Sequence, residues 1–144
     1  MSSPRRLLIL AEGFSGDPHY GKTARGVLRY RPDEVVALLD SERAGETQDG
    51  KPIVGSVAEA LPLGPTTALV GVATQGGRFP PAWRQLLQRS IEAGLDVENG
   101  LHEFISEEPE LVALECGAAN AGHCGPENRT CGFIRSQGAH RFIA

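Results

Sequence analysis

The chain has 144 residues, of which 40% are hydrophobic and 22% are charged. This composition is typical of one ordinary globular domain and excludes a disordered chain. A formal net charge of -4 provides no overall field for nucleic acid or an anionic membrane, and no apolar stretch approaches the roughly 20 residues of a membrane helix.

The predicted compartment is the cytoplasm. The short apolar run near the start is followed at once by Glu12, which is not typical of a secretory leader. The three cysteines are an odd number gathered near the C-terminus, as expected for free thiols in a reducing compartment. We therefore expect neither nucleic acid nor a membrane as a partner.

Buried-strand patterns alternate with amphipathic-helix patterns along most of the chain. In chain order they are a strand at "RLLILA", a helix at "KTARGVLRY", a strand at "EVVALL", a short strand at "PIV", a helix capped by Ser56 and Glu59, a strand at "TTALVGVA", a helix from Trp83 to a C-cap at Gly94, a strand at "LDVENG" and a helix after Ser106. The segment "SERAGETQDGK" is predicted to be a loop. This alternation predicts an α/β fold with a mainly parallel sheet.

Ligands of such sheets bind beyond the carboxyl ends of the strands. The strands at "RLLILA", "EVVALL" and "ALVGVA" are expected to be adjacent and parallel. Gly13, Asp40 and Gly76 follow these strands and are expected at one rim of the sheet.

The segment "GDPHYGKT", from Gly16 to Thr23, fits the phosphate-loop pattern G-x-x-x-x-G-K-[ST]. In a true phosphate loop, backbone N–H groups cradle the phosphates, Lys22 reaches their oxygens and Thr23 holds magnesium. Here Pro18 has no backbone N–H to contribute. In addition, four residues separate the apolar run from Gly16, the first glycine of the motif, whereas in a true phosphate loop this glycine follows the strand almost directly. We therefore predict that this segment does not form an anion cradle.

A looser alternative is a dinucleotide-binding loop. Asp40 follows Gly21 by about 20 positions, the usual interval to the acid that binds a ribose hydroxyl. The G-x-G-x-x-G spacing is absent, however. For Asp40 an ordinary acid at a strand end is the favoured interpretation.

Other polar residues near the predicted rim are candidate ligand contacts. His102 could orient a substrate carboxylate or cap a turn. Arg29 could clamp a carboxylate or be solvated. Gly76 and Gly77 could form an anion nest or a simple turn. With Gly13, Lys22, Thr23 and Asp40, these residues complete the candidate substrate-binding set.

The last thirty residues have little periodicity and contain all the cysteines. Zinc ligands usually occur as close pairs such as C-x-x-C or H-x₃₋₅-H, and no such pair is present. We predict no metal site and assign no catalytic residue.

Several ordered blocks resemble the N-terminal domain of the D-glutamate N-acetyltransferase-like family, in which many members carry only a domain-of-unknown-function label. The blocks include "GKTARGVLRYRPDEVVALLDSERAGET", "PIVGSVAEAL", "GVATQGGRFPPAWR" and "EAGLDVENGLHEFISEEPELVAL", and they run from about Arg6 to Leu114. The resemblance implies a three-layer Rossmann-like domain, joined in the family to a larger C-terminal domain that holds the genuine phosphate loop. It also implies that "GDPHYGKT" is a chance match.

The family's activity is acetyl transfer from acetyl-CoA to the amino group of D-glutamate. After "ELVAL" a member would continue into a "D-x-R-x-P" segment and the second domain, whereas this chain enters its irregular tail. We therefore expect a Rossmann-like domain over 1–114 and a tail over 115–144 that arises from truncation or a frame shift.

The expected role is a substrate-binding or domain-docking module that is not a complete enzyme alone. It binds no cofactor itself, and acetyl-CoA is implied only for the full-length family. Its expected partners are the missing acetyltransferase domain, a small amino-acid substrate and a second copy of the chain. The rival hypothesis is a stand-alone nucleotide-binding enzyme that uses Lys22, Thr23 and Asp40.

Overall fold

The computed structural model describes residues 4–72 and 81–98. The chain divides into two compact units, Met1–Ala73 and Thr74–Ala144. The elements of the first unit are β1 (Leu7–Leu10), α1 (Lys22–Tyr30), β2 (Val35–Leu39), β3 (Thr47–Gln48), β4 (Lys51–Val54), α2 (Val57–Ala60) and β5 (Thr67–Val70). In the described part of the second unit, residues 81–98, the elements are α3 (Trp83–Glu92) and β6 (Asp96–Glu98).

The strands of the first unit follow the order β3-β4-β2-β1-β5. The pairs β4–β2, β2–β1 and β1–β5 are parallel, and only β3 runs antiparallel to its neighbour. The predicted adjacency of β1, β2 and β5 is thus confirmed, and the fold is α/β with a mostly parallel sheet. Leu10 pairs with both Leu39 and Val70, so the carboxyl ends of these three strands share one edge.

Helix α1 packs on the sheet through small and apolar side chains. Ala24 and Leu28, one turn apart, are buried in a cluster with Leu7 and Ile9 of β1. Burial of a leucine side chain stabilises the fold by about 1.5–3 kcal/mol. All four residues of β1 are buried, which explains its continuous apolar sequence.

Gly71 permits a close approach of α1 to the end of β5. A Cβ at Gly71 would collide with the side chain of Ile9 and lie 3.1 Å from Cβ of Ala24. Its carbonyl accepts the N–H of Ala24 at 3.0 Å. The start of α1 is therefore fixed against the sheet by backbone contact.

The predicted loop after β2 contains more regular structure than expected. A 3₁₀ turn spans Ser41–Arg43, and β3 and β4 form a hairpin across Asp49 and Gly50. Both turn residues have positive φ, 49° and 77°, the conformation that an Asp-Gly hairpin turn requires. The prediction of a loop was therefore wrong for Thr47–Gln48 and for Lys51, the first residue of β4.

The predicted helix caps are present in a slightly altered form. The hydroxyl of Ser56 accepts the N–H of Glu59 at 3.2 Å. The carboxylate of Glu59 accepts from Gly55 at 2.9 Å, one residue before the position that a standard capping box uses. Ser56 and Glu59 therefore fix the start of α2, as predicted.

The second unit contains the predicted helix and strand. Helix α3 buries Trp83, Leu87 and Ile91, at the spacing of one apolar face. Gly94 follows with φ of 81°, and β6 begins two residues later. The predicted helix after Ser106 and the tail lie outside the described residues.

Candidate functional site

The loop after β1 is bound to the end of β2 by a buried carboxylate. Asp40 is 1% exposed, and its Oδ1 accepts the N–H of Gly13 at 3.2 Å. Its Oδ2 accepts both the N–H of Ser15, at 3.2 Å, and the Ser15 hydroxyl. The N–H of Glu42 also donates to Oδ1, at 3.1 Å. Both oxygens of Asp40 thus serve the chain itself, which is not the arrangement of a ribose-binding acid.

A second carboxylate joins the same two strand ends. Glu12, at the end of β1, accepts the N–H of Ser41 at 2.8 Å and also its hydroxyl. Glu12, which follows β1, thus binds a residue after β2, and Asp40, which follows β2, binds residues after β1. The predicted meeting of Gly13 and Asp40 at one rim is confirmed, whereas Gly76 lies outside the described residues.

The phosphate-loop segment hydrogen-bonds to itself. The side chain of Asp17 accepts the N–H groups of His19 and Tyr20, both at 2.8 Å. The carbonyl of Asp17 accepts the N–H of Gly21 at 3.0 Å. These three N–H groups are among those that a cradle would offer to phosphate. The geometry is an Asx turn closed on its own aspartate, and it agrees with the prediction that no anion cradle forms.

The charge of Asp17 further disfavours a phosphate. Backbone hydrogen bonds donated by Tyr20, and then by His19, hold the pKa of Asp17 below its ordinary value of 3.8. The carboxylate is therefore ionised at neutral pH. A triphosphate placed at this loop would meet a negative charge where the N–H groups of His19 and Tyr20 are already used.

Gly21 allows the turn to close. A Cβ at Gly21 would lie 2.5 Å from the carbonyl oxygen of Phe14 and 2.6 Å from that of Asp17. Lys22 and Thr23 follow as the first residues of α1, and the Lys22 side chain is exposed. The second glycine of the apparent motif thus serves the packing of the loop.

A groove of about 730 Å³ lies beside this loop within the first unit. Its size falls in the range of small-molecule sites. The lining residues are Gly16, Arg25, Leu28, Arg29, Arg43, Gln48 and Asp49. Of the predicted candidates, Arg29 lines the groove, whereas Gly13, Lys22, Thr23 and Asp40 do not.

One wall of the groove is fixed by a network around Arg43. Its Nη1 donates to the hydroxyl of Ser15 at 3.1 Å and to Oε1 of Gln48 at 2.9 Å. Its Nε and Nη2 lie 2.9 Å from Oε2 of Glu46. The same Ser15 hydroxyl donates to Asp40. Arg43 thereby connects the loop after β1 with the β3–β4 hairpin.

Arg25 and Arg43 were missed from the sequence. Arg25 lies four residues before Arg29 on α1, a spacing that puts both on one helix face and could have been recognised. Arg43 could not, because its place in the groove depends on the strand order that brings the hairpin beside α1.

Several predicted features lie outside the described residues. They are Gly76, Gly77, His102 and the cysteines and histidines of the tail. Among residues 4–72 and 81–98, no group of three or more histidine, cysteine, aspartate or glutamate residues could hold a metal ion. In the same ranges, no helix is long and apolar enough to cross a membrane.

Comparison with protein families gives a match over residues 39–120. The matching family model is described as "Domain of unknown function (DUF1611_N) Rossmann-like domain". Its span begins at the last residue of β2 and includes the hairpin, β5 and α3.

Two curated relatives share the same name. The chain is 30% identical over 106 residues to a D-glutamate N-acetyltransferase from Tritonibacter scottomollicae, a match that covers 74% of this chain and 31% of that protein. It is 36% identical over 59 residues to a D-glutamate N-acetyltransferase from Pseudoalteromonas sp, covering 41% of this chain and 18% of the relative. The matched part is thus about a third or less of either relative.

A solved structure is similar in fold and in sequence. The crystal structure of a DUF1611 family protein from Anabaena variabilis superposes with a TM-score of 0.68 at 33% sequence identity. The match covers 76% of this chain and 33% of that one. The similarity again concerns a portion of a longer protein.

Proposed function

This chain belongs to the DUF1611_N family of Rossmann-like domains, and we propose that it is the N-terminal module of a D-glutamate N-acetyltransferase-like protein. In this role it helps to bind the acceptor amino acid or docks the rest of the protein. It does not catalyse acetyl transfer alone.

The closed loop at Asp17 is the observation that carries this proposal. Acetyl-CoA, like a nucleotide, presents phosphates, and the first loop of a Rossmann-like sheet would offer them backbone N–H groups. Here the N–H groups of His19, Tyr20 and Gly21 are used within the loop. These three N–H groups are therefore not available to the phosphates of acetyl-CoA at this loop.

Binding of the acceptor is supported by the groove. Acceptor amino acids carry carboxylates, and guanidinium groups are the side chains best suited to them. Three of the seven groove residues are arginines. The rival nucleotide-binding role for Lys22, Thr23 and Asp40 has no comparable support, because Asp40 is buried and engaged.

An assay of acetyl transfer tests the proposal. Purified chain is incubated with acetyl-CoA and D-glutamate, and released CoA is measured with a thiol reagent. A full-length D-glutamate N-acetyltransferase serves as the positive control. We expect no release above the rate without protein. Sustained turnover by the pure chain would overturn the proposal, because the chemistry would then reside in this module.

A further inference from the structure

We infer that the groove between α1 and the β3–β4 hairpin binds a small carboxylate, with Arg25 and Arg29 as the recognising residues and Arg43 as the fixed opposite wall. The inference deepens the proposed function, on which its biological meaning rests. Three observations support it: the charge of the groove, the shape of the groove, and the hydrogen bonds that hold the Arg43 side chain in place.

The charge balance of the groove favours an anion. Three lining residues are arginines, and Asp49 is the one acidic side chain among the lining residues. The charge of Arg43 is balanced by Glu46, at 2.9 Å. Arg25 and Arg29 therefore give the groove its positive character.

The placement of Arg25 and Arg29 is unfavourable for the helix by itself. Like charges four residues apart on a helix repel each other and destabilise it. Arg25 donates weakly to the Gly16 carbonyl, at 3.3 Å, and the Arg29 guanidinium lies 5.7 Å from the ring centre of Tyr30. Neither contact is an ion pair. The Asp17 carboxylate interacts with the charge of Arg25 without forming an ion pair, so the Arg29 guanidinium is the charge that a bound carboxylate would chiefly neutralise.

Arg43 is already held in place. Three side chains from two segments, Ser15, Glu46 and Gln48, accept its hydrogen bonds. A group fixed before the ligand arrives loses little side-chain entropy on binding. The wall opposite α1 is therefore preorganised.

Gly16 keeps the space next to Arg43 open. A Cβ at Gly16 would lie 3.4 Å from Nη1 of Arg43, so a larger side chain would occupy the groove. Leu28, 3% exposed, contributes an apolar surface. Charged groups beside apolar surface interact more strongly than charged groups in bulk water.

Carboxylate is favoured over phosphate by the donors that are present. The groove contains planar guanidinium forks, which match a carboxylate in a bidentate geometry. The Asx turn at Asp17 withdraws the neighbouring backbone N–H groups that phosphate sites commonly use. Phosphate is accordingly one of the outcomes that the test distinguishes.

The test is a titration of ¹⁵N-labelled chain with glutarate, followed by amide chemical shifts. Parallel arms use inorganic phosphate and neutral glutaramide. We expect glutarate to shift the amides of Gly16, Arg25 and Gln48 with saturation by about 10 mM, and glutaramide to shift none of them. Phosphate is expected to bind more weakly than glutarate.

Three variants locate the site. Arg29→Gln is expected to weaken glutarate binding about tenfold, through loss of a charge-assisted hydrogen bond, and Arg29→Lys is expected to restore little of it, since an ammonium lacks the fork. Arg89→Gln removes an equal charge from an exposed residue of α3 that does not line the groove, and it is expected to bind within about twofold of the wild type. The spectrum of each variant reports whether its fold is intact.

The inference is overturned if glutarate leaves the groove amides unchanged, if Arg29→Gln binds as the wild type does, or if phosphate binds more tightly than glutarate. Because the measurement is binding by the chain alone, its result is independent of the acetyl-transfer assay. A chain that binds glutarate without turnover supports both proposals, and a chain that turns over without binding glutarate contradicts both.

Discussion

The carboxylate of Asp40 accepts hydrogen bonds from both the backbone N–H and the hydroxyl of Ser15, across 25 positions of sequence. This relationship joins the end of β2 to the loop after β1. Through the Ser15 hydroxyl it extends to Arg43, at 3.1 Å. The buried acid at the rim therefore organises the loop and the wall of the groove.

Asp40→Asn is expected to destabilise the domain by about 2–4 kcal/mol. The substitution replaces one acceptor oxygen by an amide NH₂ group, which would face an N–H donor of Gly13 or Ser15. Urea denaturation followed by circular dichroism measures the effect. The control is Asp33→Asn, at an exposed turn residue, which should change stability by less than about 0.5 kcal/mol. Equal effects of the two substitutions would contradict the organising role of Asp40.

Two glycines five residues apart should respond to alanine in opposite directions. Gly21→Ala is expected to cost about 1–3 kcal/mol, because its Cβ would meet the carbonyl oxygens of Phe14 and Asp17. Gly26→Ala lies inside α1 with nothing within 4 Å of the new Cβ, and it should stabilise the helix by about 0.5–1 kcal/mol.

Thermal or urea unfolding measures the stability of both glycine variants relative to the wild type. A Gly21→Ala variant as stable as the wild type would show that the loop does not close on itself as described. The Gly26→Ala variant controls for the general preference of a helix for alanine.

The charge of Asp17 should make stability depend on pH in the acid range. Its folded pKa lies below the ordinary value of 3.8, so the folded chain binds the proton less tightly than the unfolded chain does. The stabilising contribution is therefore complete above pH 3.8 and is lost as the pH falls through the folded pKa.

The measurement is the urea midpoint of wild type and Asp17→Asn at about pH 6 and about pH 2.5. Asparagine retains a neutral acceptor for the Asx turn. The advantage of the wild type over the variant should shrink at the lower pH. An advantage that grows on acidification would mean that the N–H groups of His19 and Tyr20 do not bind this carboxylate.

The sequence predicted the elements of the sheet because their signals are local. The apolar run of β1 and the 3.6-residue spacing of α1 identified both elements, and α1 has the predicted bounds of Lys22 and Tyr30. Ser56 and Glu59 predicted the start of α2 because a cap depends on residues three positions apart. The hairpin could also have been found, since Asp49-Gly50 is a strong hairpin-turn signal.

The groove could not be predicted in the same way. Its walls come from α1 and from the hairpin, and their juxtaposition depends on the order of the strands. The sequence placed Asp40 at the rim but carried no information on which way its carboxylate points. Only the structure shows that this carboxylate accepts hydrogen bonds from Gly13 and Ser15.

The central claim is that the segment from Gly16 to Thr23 is a turn closed on Asp17 and holds no triphosphate. Calorimetric titration of the chain with Mg-ATP tests it most directly. We expect only the heat of dilution up to about 1 mM ligand, for the wild type and for Lys22→Ala alike. Low-micromolar binding by the wild type that disappears in Lys22→Ala would contradict the account, because the loop would then be a working phosphate site.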